Sequence, residues 1–156
     1  MTWFRKSIER GKSFILHQLK QGATPEGLAR TCAVGVALAL FPALGTTTVL
    51  CFLVGTVMRL NQPTLQVVNY MLAPVQLFLI PVFLKLGAWI FSVPAVSLNP
   101  RTVVSEFFNS PSAFFVNFGL AGLMAMVAWL VVMPVAAFAV YLILKGLFTG
   151  IQKVRE

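Results

Sequence analysis

The stretch TCAVGVALALFPALGTTTVLCFLVGTVM, residues 31–58, contains no Lys, Arg, His, Asp or Glu. As one helix it would measure about 42 Å, longer than the roughly 30 Å hydrocarbon core of a bilayer, whereas two full spans would need about 40 residues. Near its centre stand Phe41-Pro42-Ala43-Leu44-Gly45, where proline removes a backbone donor and glycine permits unusual dihedral angles. The stretch therefore predicts two half-helices, 31–41 and 46–58, arranged as a broken or re-entrant hairpin.

The rest of the chain is equally apolar. Residues 60–84 and 107–144 form two more runs without a charged side chain, and the whole chain is 58% hydrophobic and 10% charged with a mean hydropathy of +0.87. A charge at mid-bilayer costs about 2.5 kcal/mol or more, so long uncharged runs are typical of membrane spans. We expect an all-α integral membrane protein, a small helical bundle that forms a single membrane domain over residues 1–156.

The net charge of +8 comes from basic residues that collect toward both ends of the chain. Basic residues beside apolar segments mark the cytoplasmic side of a membrane, so we expect no nucleic-acid partner. Residues 1–22 predict an amphipathic arm in which Trp3, Phe4 and Ile8 share one face. Such a helix suits the membrane interface and anionic lipid headgroups. The alternative is a cytoplasmic helix packed on the bundle.

The remaining boundaries follow from polar and proline-containing segments. We predict a kinked membrane segment over 63–92, with helix breaks at Pro74 and Pro81 in addition to the one at Pro42. A polar loop follows over 93–112, with room for a short helix at 101–109, and a membrane helix over 113–146. In that last helix Gly119 and Gly122 predict close helix packing.

Charge asymmetry also predicts the topology. Basic residues near both termini favour a cytoplasmic N terminus and a cytoplasmic C terminus, which requires an even number of crossings. A re-entrant 31–58 followed by crossings at 64–91 and 113–144 satisfies that requirement and keeps Arg30 and Arg59 on one side. A hairpin in the second run is the alternative.

Catalytic side chains are scarce. The chain has one histidine, His17, on the predicted arm, and it has no Asp. The apolar runs contain no Glu, so paired-carboxylate chemistry, carboxylate metal sites and proton relays lack their residues. We therefore expect neither an enzyme nor a bound metal or cofactor.

The polar residues within the apolar runs form the candidate ligand site. A half-helix that begins at Thr46 would direct its free N–H groups and positive dipole end at the break, which favours an anion. Alternatively, the hydroxyls and amides satisfy the kink. Lys85 could neutralise an anion or extend toward the far interface. The predicted binding residues are Gly45, Thr46, Thr47, Asn69, Gln76 and Lys85.

The order of these motifs resembles a bacterial membrane family described as domain of unknown function 2062. The resemblance covers roughly residues 22–145, most closely the branch with an N-Y-x-x-x-P-x-Q-L core. Where many members have Asn-Pro followed by Thr, this chain has Ala73-Pro74. The resemblance is carried by Gly35, Phe41-Pro42-x-x-Gly45, Leu60-Asn61-x-Pro63, Val68 to Leu77, Ile80-Pro81 and Leu86-Gly87.

The resemblance implies a protein of the bacterial inner membrane, fused in some members to a glycosyltransferase, and it implies no established activity. Two functions remain open at this point. In one, the protein translocates or binds an amphiphilic anion, such as a lipid-linked phosphate, at the broken helices. In the other, it is a membrane scaffold without transport activity that organises a glycosyltransferase or another envelope enzyme.

Overall fold

The computed structural model describes residues 24–96 and 99–153, and the secondary structure of this part is helical without strands. The predicted arm at 1–22 lies outside the described residues. The all-α prediction is confirmed for the described part. Its helices are α1 (Pro25–Ala39), α2 (Thr47–Val57), α3 (Gln62–Ile90), α4 (Pro100–Asn109) and α5 (Pro111–Lys153).

The run at 31–58 divides into two helices, as the Pro42 and Gly45 signals indicate. α2 then ends in a Schellman motif, in which the N–H of Leu60 donates to the carbonyl of Gly55 at 2.8 Å. The motif places Arg59 in the left-handed region with φ 52°. Glycine usually holds this position, because a Cβ there costs roughly 1 kcal/mol.

After this turn the chain returns to the start of α1. Arg30 donates from Nη2 to the carbonyl of Met58 at 2.6 Å, and the N–H of Asn61 donates to Thr31 Oγ1 at 3.3 Å. α1 and α2 thus form a hairpin, and Arg30 and Arg59 line one pocket at its open end.

α3 is continuous over Gln62–Ile90, so the predicted helix breaks at Pro74 and Pro81 are wrong, as is the alternative hairpin in this run. A proline inside a helix removes one backbone hydrogen bond and costs about 3 kcal/mol. Packing of α3 along α1, α2 and α5 offsets that cost, with Leu65 and Phe83 buried. Local sequence signals do not contain this tertiary contribution.

The segment at 93–112 includes the short helix that the sequence predicts at 101–109. It contains α4, and α5 begins directly afterwards at Pro111. α5 extends to Lys153 without ending at Pro134. Within the described residues, two helical segments are long and apolar enough to cross a membrane by length and composition, Gln62–Ile90 and Pro111–Ile151, whereas Thr47–Val57 is apolar but shorter.

α1 lies at the centre, packed against α5, α3 and α2. α3 and α5 also pack directly against each other, and at Gly87 the backbones come so close that an added Cβ would stand 2.6 Å from the backbone carbonyl of Met124. The prediction that Gly119 and Gly122 allow close helix packing is wrong, because a Cβ at either position would meet no atom within 4 Å. The close contact forms where two small-residue surfaces face each other, and these two glycines face outward.

Candidate functional site

The site is built around the turn between α1 and α2. α1 ends at Ala39 and α2 begins at Thr47. Pro42 has no N–H with which to continue α1. Gly45 has φ +80°, a conformation that side chains with a Cβ rarely adopt. The turn leaves backbone carbonyls near its start without helical partners.

α3 supplies donors to this turn. Gln76, 4% exposed, donates from Nε2 to the carbonyl of Phe41 at 2.7 Å and lies 3.5 Å from that of Ala43. Asn69, 3% exposed, donates from Nδ2 to Thr48 Oγ1 at 3.3 Å. Asn69 and Gln76, the two amides predicted from the sequence, therefore both reach the break, and their NH₂ groups donate hydrogen bonds to acceptors within the protein.

Asn69 and Gln76 belong to a longer polar stripe on α3. Gln66 donates to the carbonyl of Thr48, and Gln62 donates to the carbonyl of Phe52 and to the hydroxyl of Thr56. The sequence positions 62, 66, 69 and 76 repeat at helical spacing, so this face could have been recognised from the sequence. The stripe bonds α2 to α3 along most of the length of α2.

A cavity of about 430 Å³, here called the break groove, opens between the turn, the start of α2 and the middle of α3. Four of the six predicted binding residues line it. Thr46 and Lys85 are not among the lining residues, and Lys85 is exposed on α3. The groove is lined by Leu44, Gly45, Thr47, Thr48, Asn69, Tyr70, Ala73, Pro74, Gln76 and Leu77.

Thr46 differs from its predicted role as a cap. It occupies the N-cap position of α2, but its backbone is already in the helical region and its side chain makes no capping bond. Its Oγ1 donates instead to the carbonyl of Ala43 at 2.9 Å. The backbone N–H groups in the first turn of α2 therefore do not donate to the Thr46 side chain.

The groove can bind a polar group but supplies little charge. Its lining includes the hydroxyl-bearing residues Thr47, Thr48 and Tyr70, and it contains no Lys, Arg, Asp or Glu. The start of α2 adds N–H groups and the positive end of its dipole. Within the described residues there is no group of three or more His, Cys, Asp or Glu that could hold a metal ion.

One further residue at the break has no recognisable signal in the sequence. Trp129 of α5 donates from Nε1 to the carbonyl of Ala37 at 3.0 Å, and its ring meets that of Phe41 edge-on at 5.0 Å. Trp129 thus contacts the last turn of α1 from α5, whereas the two amides belong to α3.

A family model for uncharacterized proteins conserved in bacteria, DUF2062, matches residues 9–156. No curated protein and no solved structure matches the chain. The match spans nearly the whole chain and includes the break, the polar stripe of α3 and Trp129. The resemblance seen in the sequence motifs is therefore confirmed, and the chain belongs to the DUF2062 family.

Proposed function

We propose that the protein is a multi-pass protein of the bacterial inner membrane, with both termini cytoplasmic, that binds and translocates an amphiphilic anion such as a lipid-linked phosphate and catalyses no reaction. The observation that supports this best is the break groove, where Gly45, Thr47, Asn69 and Gln76 meet beside an interrupted helix. Interrupted helices are where many transporters hold their substrates.

Exposure of the apolar helices supports the membrane location. In the most apolar window of each candidate span, only 17% of α3 and 11% of α5 is buried within the protein. The core helix of a water-soluble protein would be mostly buried, and large exposed apolar surfaces are rare on soluble monomers. The exposed side chains include Phe52, Tyr70, Met71, Phe78, Leu130, Val135 and Phe138.

The depth of the groove supports the same proposal. Gln76 is the middle residue of α3, about 21 Å along the axis from the first residue. If α3 crosses the bilayer, the break lies near the midplane, and the α1–α2 hairpin re-enters the membrane. Non-helical backbone at that depth must be buried in protein or line a cavity, and Leu44 and Gly45 of this turn line the break groove.

The groove suits weak and transient binding of a headgroup. Its donors are backbone N–H groups at the start of α2 together with hydroxyls, and no cation lines it. A site that passes its ligand on must bind strongly enough for entry and weakly enough for release. An acyl or polyprenyl chain would lie along the exposed apolar surface of α2 and α3 while the phosphate entered the groove.

The second candidate function is a scaffold for a glycosyltransferase or another envelope enzyme. One observation favours it: the N–H₂ groups of Asn69 and Gln76 already bond Thr48 and Phe41, as expected if the amides only satisfy the kink. The exposed apolar side of α2 would then contact the partner rather than lipid.

A pair of variants at Gly45 tests the two functions against each other. Gly45→Ala and Gly45→Leu both place a Cβ at φ +80°, and a Cβ there meets no atom within 4 Å, so the backbone strain is shared. Only leucine adds bulk at the groove. Native mass spectrometry of gently extracted protein would measure the retained lipid, and thermal unfolding would measure stability.

We expect the leucine variant to retain at least about tenfold less lipid than the alanine variant, equivalent to about 1.4 kcal/mol, at similar stability. Equal retention by both variants, or no retained lipid in the native protein, would remove the transport proposal in favour of the scaffold.

A further inference from the structure

A second pocket lies at the opposite end of α2 from the break groove. Its volume is about 300 Å³, at the small end of ligand pockets, which are roughly 300 to 1,000 Å³. It is formed by the first turns of α1 and by the turn between α2 and α3, and no acidic residue lines it. The lining residues are Thr24, Gly27, Leu28, Arg30, Thr31, Arg59, Leu60 and Asn61.

The wall of this pocket is held in place by hydrogen bonds. Thr31 is buried, donates from Oγ1 to the carbonyl of Gly27 at 2.8 Å and accepts from the N–H of Asn61 at 3.3 Å. Arg30 is fixed by its bond to the carbonyl of Met58. A guanidinium has five N–H donors, so most of those on Arg30 stay available.

The backbone N–H of Arg59 donates to the carbonyl of Thr56, but its guanidinium makes no hydrogen bond or ion pair with any residue in the described part of the chain. The nearest described carboxylate in sequence to Arg30, that of Glu26, is already bonded to Tyr141 and Lys145 of α5. No lining residue neutralises the charge of either guanidinium, and Glu26 attracts Arg30 electrostatically but bonds Lys145 instead. Arg59 also occupies the left-handed position that glycine would fill without strain, so its side chain has no benefit for the turn itself.

We propose that the Arg30–Arg59 pocket binds a phosphate group, separately from the break groove and whether or not that groove transports a ligand. Guanidiniums match phosphate oxygens in geometry and form charge-assisted hydrogen bonds with them. α1 and α3 both begin at this pocket, and their dipoles add positive potential there. The phosphate belongs either to an anionic lipid headgroup or to a soluble phosphate compound.

The left-handed conformation of Arg59 permits a test that does not unfold the protein. Arg59→Gly removes the charge while giving the turn its preferred residue, so its melting temperature should equal or exceed that of the native chain. Ser92 has φ 53° in the corresponding turn after α3, which makes Ser92→Gly the matched control. Arg59→Lys keeps the charge.

Full-length protein would be reconstituted in bilayer discs that contain phosphatidylglycerol, and the lipid retained after extraction would be counted by native mass spectrometry. We expect Arg59→Gly to lower retention at least about tenfold, as for loss of a charge-assisted bond, Arg59→Lys to lower it less, and Ser92→Gly to leave it unchanged.

A second arm separates the two sources of phosphate. Delipidated protein would be melted in inorganic phosphate and in chloride of equal ionic strength. A phosphate-specific rise in melting temperature that Arg59→Gly abolishes shows that a soluble phosphate suffices, whereas lost lipid retention without such a rise assigns the pocket to a lipid headgroup. If Arg59→Gly changes neither quantity, the pocket does not bind phosphate.

Discussion

Trp129 Nε1 lies 3.0 Å from the backbone oxygen of Ala37, a residue 92 positions earlier in the chain. In a continuing helix the N–H of Phe41 would bond this oxygen, but that N–H donates instead to the carbonyl of Leu38 at 3.2 Å. The indole N–H of Trp129 in α5 thus donates to the Ala37 carbonyl in place of the backbone N–H of Phe41. The helix break is consequently part of the core packing rather than an isolated turn.

Trp129→Phe should therefore destabilise the protein by about 1–3 kcal/mol, because it keeps an aromatic ring beside Phe41 but leaves the part-buried carbonyl of Ala37 without a donor. Thermal unfolding in detergent measures the effect. Trp89→Phe is the control, since Trp89 is 76% exposed and should tolerate the change. Equal melting temperatures for the two variants would contradict a structural role for the indole bond.

Gly87→Ala should disturb the packing of α3 against α5 and lower the stability of the protein. Its new Cβ would stand 2.6 Å from backbone atoms of Met124, which cannot move aside as a flexible side chain could, so we expect a loss of about 1–3 kcal/mol. Gly119→Ala and Gly122→Ala meet no atom within 4 Å and should be neutral or stabilising, because alanine favours the helix over glycine. Chemical unfolding would measure the free energy of unfolding of all three variants, and Gly87→Ala should be the least stable. If Gly87→Ala were the most stable, the close packing at Gly87 would be refuted.

These contacts mark the boundary of what the sequence predicts. Pro42 and Gly45 interrupt the chain through their own backbone chemistry, so the division of 31–58 was predictable. Pro74 carries the same local signal, yet α3 continues through it because packing against three helices outweighs one lost bond. The outcome at each proline depends on tertiary energy that no short window contains.

The candidate site, too, is predictable from the sequence only in part. Asn69 and Gln76 were recognisable as polar residues in an apolar run, and their helical spacing from Gln62 and Gln66 indicates one face. Lys85 lies on α3 as well but does not line the groove. The contribution of Trp129 could not be predicted, because a tryptophan in an apolar helix has the same appearance whether it faces lipid or a distant carbonyl.

Stability should depend on pH through Glu26. Hydrogen bonds from Tyr141 and then Lys145 hold the pKa of Glu26 below its usual value of 4.5. A carboxyl whose pKa is lower in the folded state adds stability above the unfolded pKa, and this contribution is lost as the pH falls through the folded value. We expect the melting-temperature advantage of the native chain over Glu26→Gln to be constant near neutral pH and to shrink below about pH 4.5. An advantage that persists unchanged to pH 3 would show that Glu26 is not acting through its charge.

The proposed topology places Arg59 and the end of α5 in the cytoplasm and Asn99 outside, because basic residues mark the cytoplasmic side and are found at the first two locations. Single cysteines at Arg59→Cys, Asn99→Cys and Gly150→Cys, in a chain with Cys32→Ala and Cys51→Ala, would report each side. A membrane-impermeant maleimide added to intact bacterial spheroplasts should label position 99 alone, and permeabilised cells should label all three. With a cytoplasmic N terminus, labelling of positions 59 and 150 but not 99 in intact spheroplasts would mean that residues 31–58 cross the membrane once instead of returning.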